Sequence, residues 1–359
     1  MKLARRDLLR SLLAGIGSAA VLGTTSSASA LTPGQLETGK PDAGVAPLTS
    51  GISAGTASVF NVNECINEYR KAFNYVVHWR GKVMVSQAAM WGAPGVAGHP
   101  SAVVGPKDMQ RGLIRFVEVS TRPTKAFTTR GWTALEIRTR NVDELARHLE
   151  GSSFRRIGGP ADLKFTTQSH VLRAVQALGP SGEALYCTQS LVDPEGAYPG
   201  GQLGPNNVGT LFIMVLACWP YLETRDFYVQ TLGMKLGVEH PRPLRFANQF
   251  IGWPDDRNGI LATARSGPTS LIELDGYPEA VPSRPIPGGN LPAGASMCTL
   301  EVPNLGAVAA ALKTAEIPFS QMESRLSQPP YRGSAALACS GRSGEIVEFV
   351  QSNEAPTRT

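Results

Sequence analysis

Two stretches of this 359-residue chain decide how it folds. Pro180-Ser181-Gly182-Glu183-Ala184-Leu185-Tyr186-Cys187-Thr188-Gln189-Ser190 aligns without a gap with Arg342-Ser343-Gly344-Glu345-Ile346-Val347-Glu348-Phe349-Val350-Gln351-Ser352. Ser, Gly, Glu, Gln and Ser coincide, and both stretches read as a glycine turn running into a strand. Upstream of each, a strand-like run (133–137 or 298–302) leads through an asparagine into an amphipathic helix, Val142–Leu149 or 305–312. The unit is strand, helix, then several strands, in about sixty residues.

A variant of the unit occupies 208–275. Its apolar run 211–216 reads as a strand, and 221–232 as a helix with Phe227 and Tyr228 on the apolar face, stopped at Gly233. Its closing strand is Ser270-Leu271-Ile272-Glu273-Leu274. A fainter copy runs from Val59 through a helix over 64–73, again carrying a tyrosine (Tyr69), to a strand over 113–119. Four copies in series imply two pairs. With 38 glycines and 27 prolines the chain is too rich in turn formers for a helical bundle.

Glu223-Thr224-Arg225-Asp226-Phe227-Tyr228, followed by Leu232-Gly233-Met234, resembles the helix motif of the vicinal oxygen chelate superfamily. That group includes glyoxalase I, extradiol ring-cleaving dioxygenases, fosfomycin-resistance enzymes and bleomycin-binding proteins. Ser343-Gly344-Glu345-Ile346-Val347-Glu348-Phe349 is similar to its closing turn and strand. The resemblance spans 59–352 and implies an α+β fold of four βαβββ modules paired into two open β-barrels, each with a ligand in its concave face. On this reading 59–192 form an N-terminal pair and 208–352 a C-terminal pair, with the Gly/Pro-rich loop 193–207 between them and a tail at 353–359.

Strand alternation indicates which side chains face the hollows. Cys298, Leu300 and Val302 should pack under the helix, leaving Met297, Thr299 and Glu301 on the other face. The matching strand presents Trp132, Ala134 and Glu136, and closing strands present Glu273, Glu348, Tyr186 and Arg115. The resemblance implies a metal held by a histidine or glutamine on the first strand of each module and a glutamate on the closing strand. Here both C-terminal glutamates are present, but the histidine places fall near Ile213 and Met297, which do not replace imidazole as ligands of a divalent ion.

Glu273 and Glu348 are therefore expected as a facing pair whose repulsion raises one pKa, with Glu348 as base and Glu273 as acid or orienting group. The plainer reading leaves them as inherited strand positions, hydrated or paired with an arginine. Glu301, Met297, Tyr228, Trp132, Tyr186 and Arg115 complete the expected substrate-binding set, and Glu136 is weighed with Glu301 as a further acid. Of the five histidines, His240 could complete an unconventional metal site with Glu273 and Glu348; His170 could point into the N-terminal barrel, and His148 lies on a polar helix face.

The basic balance comes largely from the first thirty residues. Arg5-Arg6 followed by Asp7-Leu8-Leu9-Arg10, a short apolar run and Ala28-Ser29-Ala30 form an export signal of twin-arginine type, with a Sec signal or an uncleaved anchor as alternatives. Cleavage after Ala30 removes four basic residues and one acidic one, bringing the formal charge from +5 to +2. No basic stripe remains, which excludes nucleic acid as an expected partner. No other run is long and apolar enough to span a bilayer. Residues 31–58 read as a flexible linker. Five cysteines without CxxC spacing read mostly as core thiols, with room for one disulfide.

The expected protein is periplasmic or secreted. It is expected to be an isomerase or lyase that moves protons on a small oxygenated or aromatic molecule, needing no cofactor. A ring-cleaving dioxygenase with iron, manganese or zinc is the second reading, and a carrier of a small apolar ligand the third. A homodimer is compatible with any of these.

Overall fold

The computed structural model describes residues 47–121, 124–164, 171–191 and 207–352. The leader, residues 31–46, His170, the loop 193–206 and the tail lie outside them. The first module comprises β1 (Gly51–Val59), α1 (Val62–Phe73), β2 (Val76–Lys82), α2 (Val85–Met90), β3 (Pro100–Gly105) and β4 (Leu113–Glu118). The second comprises β5 (Gly131–Thr139), α3 (Val142–Leu149), β6 (Arg155–Lys164), β7 (Val171–Leu178) and β8 (Ala184–Ser190). The third comprises β9 (Val208–Cys218), α4 (Tyr221–Asp226), β10 (Lys235–Pro243), α5 (Arg245–Ile251), β11 (Asn258–Arg265) and β12 (Leu271–Gly276). The fourth comprises β13 (Gly294–Val302), α6 (Leu305–Thr314), β14 (Phe319–Met322), β15 (Ala336–Ser340) and β16 (Ile346–Gln351).

Local chemistry accounts for these boundaries. Asn61, Asn141 and Asn304 each cap a helix by accepting backbone N–H bonds from its first turn. Asn74, in the left-handed region at φ 55°, ends α1. The expected linker 31–58 is too long at its C-terminal end, because 51–58 form most of the buried strand β1. Its alternation was hidden by small residues.

The strands form two eight-stranded sheets, ordered β14-β15-β16-β13-β1-β4-β3-β2 and β10-β11-β12-β9-β5-β8-β7-β6. This corrects the expected pairing: module one joins module four through β1 and β13, and module two joins module three through β5 and β9. Modules one and two, and likewise three and four, touch across the core. Tyr69 of α1 donates to Glu183 in the closing turn of module two (2.9 Å), and Tyr228, one turn beyond α4, donates to Glu345 in that of module four (3.0 Å). These paired contacts set module one against module two, and module three against module four, across the core.

The convex faces enclose one continuous apolar core that contains the buried faces of α1, α3 and α6. Gly55 lets the two sheets pack closely: a Cβ there would lie 2.6 Å from Leu211 Cδ2 and 2.8 Å from Met214 Sδ, and those side chains would have to move. Cys298, Leu300 and Val302 pack in this core as expected. All five cysteines are free and buried, so no disulfide forms. Among the described residues no helix is long and apolar enough to cross a membrane.

Candidate active site

The two concave faces have different fates. In the first sheet the hollow is filled: α2, the segment after it and the turn before β15 pack onto β13, β15 and β16 as a second apolar core. At its centre Arg115 of β4 and Glu348 of β16 form an ion pair at 2.9 Å, 1% and 0% exposed. Glu348 also accepts from Trp91 Nε1 (2.7 Å), the Tyr331 hydroxyl (2.6 Å) and the Thr299 hydroxyl (2.6 Å). Arg115 reaches Thr56 Oγ1 (2.9 Å), the Tyr331 hydroxyl (3.0 Å) and Met297 Sδ (3.5 Å), and its guanidinium lies 4.6 Å from the Trp91 ring centre.

Sequence reasoning placed Met297 and Glu348 in one hollow and Arg115 in the other; the structure brings all three together, as a sealed structural network. With both carboxylate oxygens saturated, Glu348 is not placed to act as a base. Glu348 and Glu273 belong to different sheets and do not face each other, and this also dissolves the proposed metal trio with His240. Gln87, Trp91 and Tyr331, which sequence reasoning missed, carry no motif; they lie in segments inserted between strands.

In the second sheet the concave face keeps an open cavity of about 160 Å3, lined among others by Glu136, Tyr186, Thr188, Arg242, Glu273 and Asp275. The strand registers pair Glu136 with Tyr186 and Val215 with Glu273. Glu136 faces Ile213 across β9, and Ile213 faces Leu271, so Glu273 stands two strands and two residues from Glu136. That is roughly 12 Å between Cα atoms, close enough for two inward glutamates on a curved sheet to interact.

Burial, reinforced by the charge of Glu273, pushes Glu136 up to about 8. Burial pushes Glu273 up to about 7 against the opposing influence of Arg242. Asp275 rises for the same reason, with Glu273 adding to it. The Thr188 hydroxyl, beside Glu136 and tempering that rise, finds no partner in good geometry, and Asp275 Oδ1 is likewise buried without one. Phe127, Tyr186 and Phe246 form an aromatic wall, with ring centres 5.6 to 6.2 Å apart.

The other expected residues fall elsewhere. Trp132 was expected beside Ala134 and Glu136, but a register shift between Trp132 and Ala134 turns its ring into the convex core. There its Nε1 donates to the Ile346 carbonyl of the other sheet (2.8 Å). Tyr228 is held in the same core by Glu345 rather than lining a hollow. Glu301 pairs with Arg111 (3.1 Å) in a larger polar cleft of about 670 Å3, outside the cavity of the second sheet. That cleft is roomier, and Glu301 there is neutralised by a neighbouring guanidinium. His240 sits on β10 opposite Leu261, its pKa lowered by burial and by Arg242. His148 Nε2 donates to the Lys71 carbonyl (2.9 Å) on the surface.

The metal set that the resemblance implies does not fit. The first-strand and closing-strand positions hold Thr56, Arg115, Thr299 and Glu348 in one sheet, with a guanidinium already against the carboxylate. They hold Glu136, Tyr186, Val215 and Glu273 in the other, without an imidazole. The register also shifts the expected histidine places from Ile213 and Met297 to Val215 and Thr299. Among the described residues no group of three or more His, Cys, Asp or Glu side chains could hold a metal ion.

Four βαβββ modules, completed pairwise into two open sheets back to back, make a glyoxalase-like fold. The chain is similar to the structure of a provisionally assigned dioxygenase from Bacillus subtilis, at 13% identity and a TM-score of 0.58, covering 86% of this chain and 87% of that one. It is also similar to glyoxalase I from Zea mays, at 14% identity and a TM-score of 0.53, covering 84% and 92%. A mutant of the maize enzyme gives 15% and 0.54. No family model matches the chain, and no curated protein matches it by sequence.

Proposed function

We propose that this protein is a proton-transfer enzyme of the isomerase or lyase kind, working in the cavity between modules two and three. Supporting this is one observation: Glu136 and Glu273, interacting carboxyls of the same small cavity, have pKa values raised to about 8 and about 7. A proton shift needs a base and an acid on the same substrate, each poised near the working pH. At neutral pH the pair holds about one proton, with Glu136 favoured to keep it. Glu273 then takes a proton from a carbon next to a polarising group, and Glu136 returns one. The aromatic wall orients the substrate and limits water. From its Arg5-Arg6 leader we also propose that the protein acts outside the cytoplasm.

Solvent deuterium incorporation tests the reading. The purified protein is incubated in D2O with a panel of small carbonyl compounds and amino ketones, and carbon-bound hydrogen is followed by NMR. Exchange is expected for at least one, with a bell-shaped pH dependence around 7 to 8. Glu273→Gln should lower the rate at least a hundredfold, in line with the usual worth of a general base. Ligand binding with no exchange, or exchange indifferent to Glu273→Gln, rules the proposal out in favour of a carrier.

A further inference from the structure

The groups around this cavity say what kind of molecule belongs in it. Three carboxyls line it, Glu136 from β5 and Glu273 and Asp275 from β12, joined by the Tyr186 phenol and the Thr188 hydroxyl from β8. Against them stand Arg242 of β10, half-buried, and Arg245 of α5, exposed at the mouth. Three carboxyls share the cavity with one inward-facing guanidinium. Two of these groups are poorly matched inside the protein: Thr188 is 2% exposed and its Oγ1, beside Glu136, has no partner in good geometry, and Asp275 Oδ1 is buried with none. Buried polar atoms are seldom left so, because each orphan costs about 1–3 kcal/mol. Across the cavity, Phe127 and Phe246 are stacked at 28° and Tyr186 closes their side, presenting π-electron density to the same space.

We infer that the substrate is a small protonated amine, its ammonium seated on Asp275 and the Thr188 hydroxyl and its carbon skeleton packed against Phe127, Tyr186 and Phe246. An ammonium offers three donors and no acceptor, which suits a site made of acceptors. It also gains from aromatic faces in a desolvated setting, which an anion does not. An anionic ligand would meet three acids with one inward guanidinium to hold it. The inference rests on the proton-transfer reading for the location of the site, and adds the ligand class. Asp275 then positions the substrate while Glu273 and Glu136 exchange its proton. Because burial keeps these carboxyls protonated to higher pH, seating a cation beside them drives a proton into the buffer.

Isothermal titration at pH 7 with benzylamine, benzyl alcohol and benzoate, in two buffers of different ionisation enthalpy, tests this on the intact exported chain. Benzylamine should bind at least tenfold more tightly than benzyl alcohol, more weakly still benzoate, and only the amine should release a proton. Asp275→Asn should lower benzylamine affinity tenfold or more and abolish that proton, leaving benzyl alcohol unchanged; Thr188→Val should lower it severalfold. Benzyl alcohol or benzoate binding as tightly as benzylamine overturns the inference, as does no detectable benzylamine binding at millimolar concentration or full affinity in Asp275→Asn. The two readings fail separately. An amine that binds without solvent exchange sinks the catalytic proposal alone, whereas exchange confined to neutral or anionic compounds sinks the ligand class alone.

Discussion

Replacing Glu348 should unfold the scaffold rather than abolish chemistry. Its carboxylate receives four donors at 2.6 to 2.9 Å, and two of these, the Trp91 indole and the Arg115 guanidinium, are fixed N–H groups on opposite oxygens. In Glu348→Gln, whichever way the amide turns, its NH2 meets one of those N–H groups. Arg115, 1% exposed, is left without its counter-charge. Breaking a buried pair in this way costs about 3–5 kcal/mol, because an uncompensated charge stays inside. With a urea m-value of roughly 3 kcal/mol/M for a chain of this size, the unfolding midpoint should fall by about 1–1.7 M. Urea titration followed by far-UV circular dichroism measures it. The double change Arg115→Met with Glu348→Leu should recover most of the loss, since both charges are then gone. An unchanged midpoint in Glu348→Gln, or a double variant as unstable as the two single losses added, would refute the structural assignment.

Three further outcomes are expected. The raised pKa values of Glu136, Glu183, Glu273 and Glu345, about 7 to 8, mean that the folded state holds more protons than the unfolded one above the ordinary carboxyl range near 4.5. That stabilisation is complete below 4.5 and is lost as pH rises through 7 to 8, so thermal midpoints should fall from pH 5 to pH 8; Glu136→Gln should flatten the fall, and a midpoint that rises over this range would contradict the burial. Tyr69→Phe and Tyr228→Phe, each removing a donor from a buried glutamate, should destabilise by about 1–3 kcal/mol at pH 8 and by less at pH 5, to similar extents because the two contacts are equivalent. Exchange of Arg5 and Arg6 for lysine should leave precursor in the cytoplasm on cell fractionation; undiminished export would point to the Sec route.

Much of this protein was legible in its sequence. The Ser-Gly-Glu turns, the asparagine caps and strand alternation gave the module, because each depends on residues within a few positions of one another. The repeat also marked Glu183 and Glu345, whose carboxylates fold back onto the N–H of Ser181 and Ser343. The concave positions of Arg115, Met297, Glu348, Tyr186 and Glu273 followed from alternation alone. Trp132 escaped it because one register shift reverses the parity of everything before it. Asp275 was within reach, two residues from Glu273 on the same strand face.

Which module completes which sheet belonged to the tertiary structure. Four similar copies expose four similar edges, and nothing local distinguishes them; the choice is made by long-range packing, such as Gly55 beneath Leu211 and Met214 and the tyrosines that bind modules back to back. That choice separates Glu348 from Glu273, and inserted segments carrying Trp91 and Tyr331 then seal one hollow while the other stays open. Whether a strand carboxylate is a buried counter-ion or a titrating acid is set by what lies across the cavity from it, and that neighbour can be more than two hundred residues away along the chain, as Arg115 is from Glu348.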